Sequence, residues 1–298
     1  MMPMYRRWHK HLAGALLLSM LAGPACTNGG RVQTSTAPTP SQTPTSSATV
    51  SAPNDTRSVL TGAGSGEHRS ATIKVAAASD LRSVMTRMQP DIERQCDTRL
   101  TFIFGSSGQL ATQIAGGADF GLLLSADAQY PADLVKAGLV VPNGTASYGL
   151  GRIALATRAG LEPVIDLNGL VRPDIKRIAI ANPDHAPYGR AAEQALRKAG
   201  VYDQIKNRLV LGENIRQTTD YVEQGNADAA IVAYALVING SPARFSLIDS
   251  AMHLPIEQGG AVVNGTGAEL SGRCVLQYIL EPAGQAALRQ FGFEAVKR

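Results

Sequence analysis

Residues 102–114 read "FIFGSSGQLATQI". The run Phe102–Phe104 suits a strand, Gly105 breaks it, and from Ser107 the apolar residues Leu110, Ala111 and Ile114 recur at helical spacing. A strand that turns through glycine and serine into a helix leaves the first helical N–H groups without acceptors and sets a hydroxyl donor beside them. Three other strand-to-helix junctions stand beside it: "VAAASDL" (75–81), which also ends its strand in serine, and "ANPDHAPYGR" (181–190) and "GENIRQT" (212–218), which offer loops. In each, an apolar run hands over to an amphipathic one.

Outward from these junctions, strands are predicted near 73–77, 100–104, 121–124, 152–156, 177–181, 208–212 and 229–233. Helices are predicted at 80–94, 107–115, 131–138, 188–199, 215–225 and 268–280. The alternation predicts an α/β fold with mostly parallel sheets flanked by helices. Ligands in such sheets bind beyond the carboxyl ends of the strands, where helix N-termini converge. Several serine-ended junctions meeting at one point would hold an anion without any lysine. Taken singly, Ser79 and Ser107 would serve equally well as ordinary helix caps.

The net charge of +4 suggests a nucleic-acid partner only until the charges are located. Residues 1–70 hold six Lys/Arg and two acids, so the remaining chain has 22 of each sign and is neutral. Nucleic acid is therefore excluded as a partner. The N-terminus carries Arg6, Arg7 and Lys10, an apolar run from Leu12 to Ala22, and Gly23-Pro24-Ala25 before Cys26. This is the layout of an export signal over 1–25, with an apolar run too short to span a bilayer. From Arg31 to Pro53, 15 of 23 residues are Ser, Thr or Pro, a composition that cannot bury enough apolar surface to fold. Residues 26–70 are expected to be a disordered tether with a reach of about 35 Å. The glycines of "GAGSGE" (62–67) follow no predicted strand and open no predicted helix, so they make no dinucleotide fingerprint.

The three cysteines are Cys26, Cys96 and Cys274. With Cys26 lipidated, an oxidising compartment permits a Cys96–Cys274 disulfide without requiring one. No cysteine or histidine cluster suggests a metal, and only His185 and His253 lie in the predicted folded part.

The blocks "VAAASDL", "FIFGSSGQLATQIAGGADFGLLLSAD", "NPDHAPYGRAAEQALRKAGVYD" and "LVLGENIRQTTDYVEQGNADAAIVA" resemble, in order and spacing, the molybdate-binding proteins of ABC importers. The similarity covers about residues 72–298. It implies a two-lobed type II periplasmic-binding-protein fold that closes by a hinge on a tetrahedral oxyanion, molybdate or tungstate. It also implies a non-enzymatic, monomeric receptor in the periplasm or outside the membrane, serving a membrane permease and needing no cofactor. Cys26, directly after a cleavage-like triplet, resembles the acceptor cysteine of a lipoprotein.

Carried over residue by residue, the resemblance makes Ser79 and Ser107 oxyanion donors from the first lobe. The backbone N–H groups of Tyr188 and Ile215 become donors from the second, with their side chains free to vary. A tyrosine ligand often found in the family would align with Ala233, whereas the tyrosine here is one later, at Tyr234, and a one-residue shift along a strand reverses its face. The acids Asp80, Asp184 and Glu213 lie near the junctions and are expected to point away or to pair with Arg190 or Arg216. The expected lobes are 71–148 with 256–298, and 149–255.

Other readings stay open: a receptor for sulfate or phosphate, a sensory module on the same fold, or a secreted hydrolase using Ser107 with His185 or His253. The hydrolase elbow G-x-S-x-G would need glycine where Gln109 stands. For the anchor, Cys26→Ser is expected to move the protein from the membrane to the soluble extracytoplasmic fraction. A wild type already soluble on fractionation would remove the lipid anchor.

Overall fold

Strand β1 (Ala71–Ala78) starts the described part of the chain, which is residues 71–296 of the computed structural model. The expected signal, Cys26 and the tether lie outside the described residues. Helix α1 (Arg82–Cys96), β2 (Thr98–Gly105), α2 (Ser107–Ala115), β3 (Leu122–Ser125) and α3 (Gln129–Lys136) follow in order. A long strand, β4 (Val140–Gly151), then leads directly into β5 (Ile153–Thr157). Next come β6 (Ile178–Ala181), α4 (Pro187–Lys198), α5 (Tyr202–Ile205), β7 (Leu209–Gly212), α6 (Ile215–Glu223) and β8 (Ala229–Ala233). The chain finishes with α7 (Tyr234–Val237), β9 (Arg244–Leu247), β10 (Ile256–Val263), α8 (Glu269–Leu280) and α9 (Pro282–Gln290).

These strands form two five-stranded sheets, ordered β2-β1-β3-β10-β4 and β7-β6-β8-β5-β9. Each is built alike. Three strands run parallel, β1 between β2 and β3 in one sheet and β6 between β7 and β8 in the other. Antiparallel strands extend them: β10 pairs with β3 and β4, and β5 with β8 and β9. The sheets are thus mixed, and the parallel part is the one that carries the strand-to-helix junctions.

The sequence explains which strands sit inside. "LLLS", "IALAT", "IAIA" and "AAIVA" of β3, β5, β6 and β8 are buried at every position. Unbroken apolar runs of this kind are what a strand covered on both faces requires. The edge strand β2 instead exposes Arg99 and Thr101. Alanine is frequent in these strands, and its small side chain brings the covering helices close to the sheet.

Strands β4, β9 and β10 and helix α9 were not predicted. Pro142, Asn143 and Gly144 interrupt any alternation in β4, where Asn143 takes a left-handed φ of 53°. In β10, Gly259 and Gly260 leave no side chain to mark a face, and the pairing with β4 shifts register beside them. Both strands depend on neighbours distant in sequence.

Cys96 at the end of α1 and Cys274 in α8 are joined by a disulfide across 178 residues of chain. A cross-link of that span restricts the unfolded chain strongly, with an effect of about 2–4 kcal/mol. Replacing both cysteines by serine is expected to lower the urea midpoint without changing oxyanion selectivity. An unchanged midpoint would show that the bond does not constrain the unfolded state.

Candidate functional site

The carboxyl ends of β1 and β2 face the N-termini of α4 and α6 across a cleft between the two sheets. Ala78, Ser79, Asp80, Gly105, Ser106, Ser107, Ala126, Ala186, Pro187, Tyr188 and Ile215 surround one small cavity there. Ser79, Ser107, Tyr188 and Ile215, drawn from four separate stretches of sequence, are therefore brought together.

Their local chemistry leaves donors free. Ser107 Oγ accepts from the Ala126 N–H at 2.9 Å, so its own proton is available to turn into the cavity. Ser79 Oγ accepts from the Arg216 N–H at 3.3 Å, a bond that reaches from the second lobe and also leaves the hydroxyl proton unspent. Asn214 caps α6 by accepting from the N–H groups of Arg216 and Gln217, but Ile215, the first helical residue, is not served by it. Tyr188 is the second residue of α4, following Pro187. N–H groups at such positions have no intrahelical acceptor. The cavity therefore presents hydroxyl and amide donors from both lobes and no lysine or arginine side chain.

Tyr234 is placed elsewhere. Its ring packs against Phe245, with centroids 5.7 Å apart, and beside Gly292, and it does not line the cavity. Tyr234 opens α7 just past the end of β8, so it follows the helix and not a face of the strand.

Of the three acids near the junctions, Asp184 and Glu213 are exposed as expected, and Asp80 departs from expectation. Asp80 neither points away nor meets an arginine: it is 0% exposed, and Oδ2 accepts from Tyr188 Oη at 2.9 Å and Gln258 Nε2 at 3.1 Å. Burial pushes its carboxyl up to about 6, against the opposing pull of these bonds. The Tyr188 side chain, expected to be free to vary, is buried against this acid, and burial first and then the nearby Asp80 charge push its phenol well above the usual range. Glu213 pairs with Gln109 Nε2 at 2.9 Å, with His185 Nε2 3.8 Å away. Arg190 pairs with Asp127 at 2.6 Å, and Arg216 with Asp220 and with Glu223 at 2.7 Å. Both arginines are thus neutralised outside the cavity. Asp184, in the loop before α4, is exposed.

A second group of residues, unmarked in the sequence, holds the cleft shut. The backbone carbonyl of His185 accepts from the Gly108 N–H at 3.0 Å and from Ser106 Oγ at 2.6 Å, both across the cleft. Gly108 has to be glycine there, because a Cβ would lie 2.7 Å from that carbonyl oxygen and 2.6 Å from Tyr130 Oη. Its spacing after Ser106 was legible, but its partner was 77 residues away. Ser106 and His185 also lie in contact through Nδ1, at 2.9 Å. The hydrolase reading named Ser107, whose Oγ instead accepts from the Ala126 N–H. Among the described residues, no group of three or more His, Cys, Asp or Glu could hold a metal ion.

Two lobes closing on a cavity of neutral donors define a solute receptor. Residues 73–294 match the family described as bacterial extracellular solute-binding protein, and the chain belongs to that family. Its members bind solutes without transforming them, so the protein is a receptor and not an enzyme. The molybdate-binding protein ModA of Rhodobacter capsulatus is 35% identical over 195 residues, covering 65% of this chain and 77% of that one. ModA of Azotobacter vinelandii is 27% identical over 231 residues, or 76% and 90% of the two chains. The solved periplasmic molybdate-binding protein of Azotobacter vinelandii superposes with a TM-score of 0.70 at 25% identity, over 76% of this chain and all of that one. The sulfate-binding protein SubI of Mycobacterium tuberculosis shares the fold, with a TM-score of 0.64 at 18% identity over 76% of this chain and 88% of that one.

Gly108→Ala is expected to hold the lobes apart and weaken oxyanion binding about tenfold or more, since binding requires the closed state. The melting temperature without anion should move by less than about 2 °C, because Gly108 packs on the partner lobe rather than in its own core. Calorimetric titration beside thermal melting checks both. Undiminished affinity would place closure outside the Gly108–His185 contact.

Proposed function

We propose that this protein captures molybdate, and its close analogue tungstate, outside the cytoplasm and delivers it to the membrane permease of an ABC importer. The observation that carries this reading is the cavity lining: hydroxyls of Ser79 and Ser107 from one lobe, and the N-termini of α4 and α6 from the other, with no cationic side chain. Such a site binds by hydrogen-bond geometry. The backbone N–H groups of Tyr188 and Ile215 complete the proposed donor set, without Tyr234. The identity with two ModA proteins supports molybdate over other tetrahedral oxyanions, whereas the likeness to a sulfate-binding protein speaks to fold alone. A monomer suits the reading, since both halves of the cavity come from one chain. Cys26 as a lipid anchor rests on the sequence and would keep the receptor near its permease.

Size is the proposed basis of selectivity. Donors fixed on two closed lobes hold a set distance, and a smaller anion of the same charge cannot reach both sides. Each donor left unpaired in a closed cavity costs about 1–3 kcal/mol. At 1,000 times its dissociation constant, a bound anion stabilises the fold by roughly 4 kcal/mol. Melting temperatures with molybdate, tungstate, sulfate and phosphate at equal ionic strength should rise for the first two only. Ser79→Ala and Ser107→Ala should each weaken molybdate binding tenfold to a hundredfold, the range of about 1.5–3 kcal/mol for a hydrogen bond to a charged group. Equal shifts with sulfate would overturn selection by size, and a shift with phosphate alone would reassign the ligand.

A further inference from the structure

Asp80 sits at a place where a carboxylate works against an anion. It follows Ser79 directly, lines the same cavity and is wholly buried. Both hydrogen bonds from side chains fall on Oδ2, the backbone N–H groups of Asp80 and Leu81 also draw the carboxyl down, and Oδ1 is buried without a hydrogen-bond partner among the described residues. Among the described residues, no lysine or arginine side chain lines the cavity beside it. Helix α4 brings the Tyr188 phenol, β10 the neutral Gln258, and β4 the Tyr148 phenol, which donates to Ser125 O at 3.1 Å and lies 3.4 Å from Gln258 Oε1. The β2–α2 junction contributes neutral Ser106 and Ser107, and α6 contributes Ile215 and the Arg216 N–H, the Arg216 guanidinium being held by Asp220 and Glu223.

The Tyr188–Asp80 bond also crosses the cleft. Tyr188 belongs to the second lobe and Asp80 to the first, so the bond ties the two lobes together in this closed structure. Opening returns the carboxyl to water and to the ordinary aspartate range, about 3.9. Closing removes the water, and an oxyanion beside Ser79 adds a like charge. Both changes favour the neutral acid.

We infer that Asp80 is a proton-linked latch: it takes up one proton from solvent as the lobes close on the oxyanion, and holds them together through the Tyr188 hydroxyl. The proton goes to Oδ1, the oxygen without a partner, and leaves both bonds to Oδ2 in place. A charge that would repel the ligand becomes a neutral group, and one more O–H donor is buried at the cavity wall. The inference rests on the proposed oxyanion role of Ser79.

The sign of the pH dependence follows. The closed-state carboxyl, at about 6 before any anion is added, lies above the open-state value, so protons favour capture. Affinity is greatest on the acid side and falls by up to about tenfold per pH unit as pH rises through the window from the open-state to the closed-state value. With an anion bound, the upper end of that window moves toward neutrality.

The test is calorimetric titration with molybdate near pH 5, between the open-state and closed-state values, in two buffers of different ionisation heat, which counts protons exchanged on binding. Wild type should take up close to one proton, and Asp80→Asn none, with a Kd that is flatter across pH. Tyr188→Phe should bind more weakly while keeping the uptake, because the acid remains and the latch is lost. Zero uptake by wild type, the same uptake by Asp80→Asn, or full affinity in Tyr188→Phe would each overturn the latch. The carboxylic-acid C=O band in the infrared, followed in the wild type across pH with and without molybdate, reads the same proton without any variant. If molybdate fails to bind, the proposed ligand is wrong, and the same band is read with tungstate, sulfate and phosphate until one binds. A midpoint that does not rise when an oxyanion binds overturns the latch.

Discussion

The carbonyl oxygen of His185 fixes the distance on which the site depends. It receives the Gly108 N–H and the Ser106 hydroxyl from the opposite lobe, and these two bonds set how near the N-terminus of α2 comes to the loop before α4. A backbone carbonyl cannot swing aside as a side chain can. The spacing is thus as rigid as the main chain that supplies it, and donors mounted on the same two segments inherit that rigidity. Selectivity between anions of equal charge needs this kind of stiffness, because a soft cleft would adjust to either.

Charge is arranged to stay out of the way. Arg190 and Arg216 lie in the two helices whose N-termini line the cavity, yet each is paired with acids of its surroundings: Asp127 for the first, Asp220 and Glu223 for the second. The rim is a set of closed ion pairs around a neutral interior. Asp80 is the exception, and its burial beside Tyr188 makes the interior sensitive to protons in a way the rim is not. Two kinds of electrostatics thus coexist within a few residues, one exposed and screened by salt, the other dry and set by hydrogen bonds.

Sequence reasoning reached the parts that local chemistry determines. The junctions at Ser79 and Ser107 were legible because glycine, serine and a change of apolar period lie side by side, and the buried strands were legible as unbroken apolar runs. What escaped it was whatever depends on a distant partner. Strands β4 and β10 carry glycine and proline where alternation should be, and form by pairing with strands distant in sequence, β4 with β10 and β10 also with β3. Tyr188 looked replaceable when only its N–H was considered, since nothing near it in sequence announces Asp80, 108 residues earlier. The matching order of the two sheets was equally hidden, as no repeated sequence accompanies it.

The link between Cys96 and Cys274 ties the beginning of the first lobe to its return, and the whole second sheet lies within the loop it closes. Synthesis delivers β1 to β3 first, then the second sheet as one contiguous stretch, and only afterwards β10 and α8. The second lobe can gather its strands from near neighbours, while the first must wait for a partner far along the chain, a slow kind of assembly. The half that supplies Ser79, Asp80 and Ser107 is therefore the last to mature, and the covalent staple records that its wait is over.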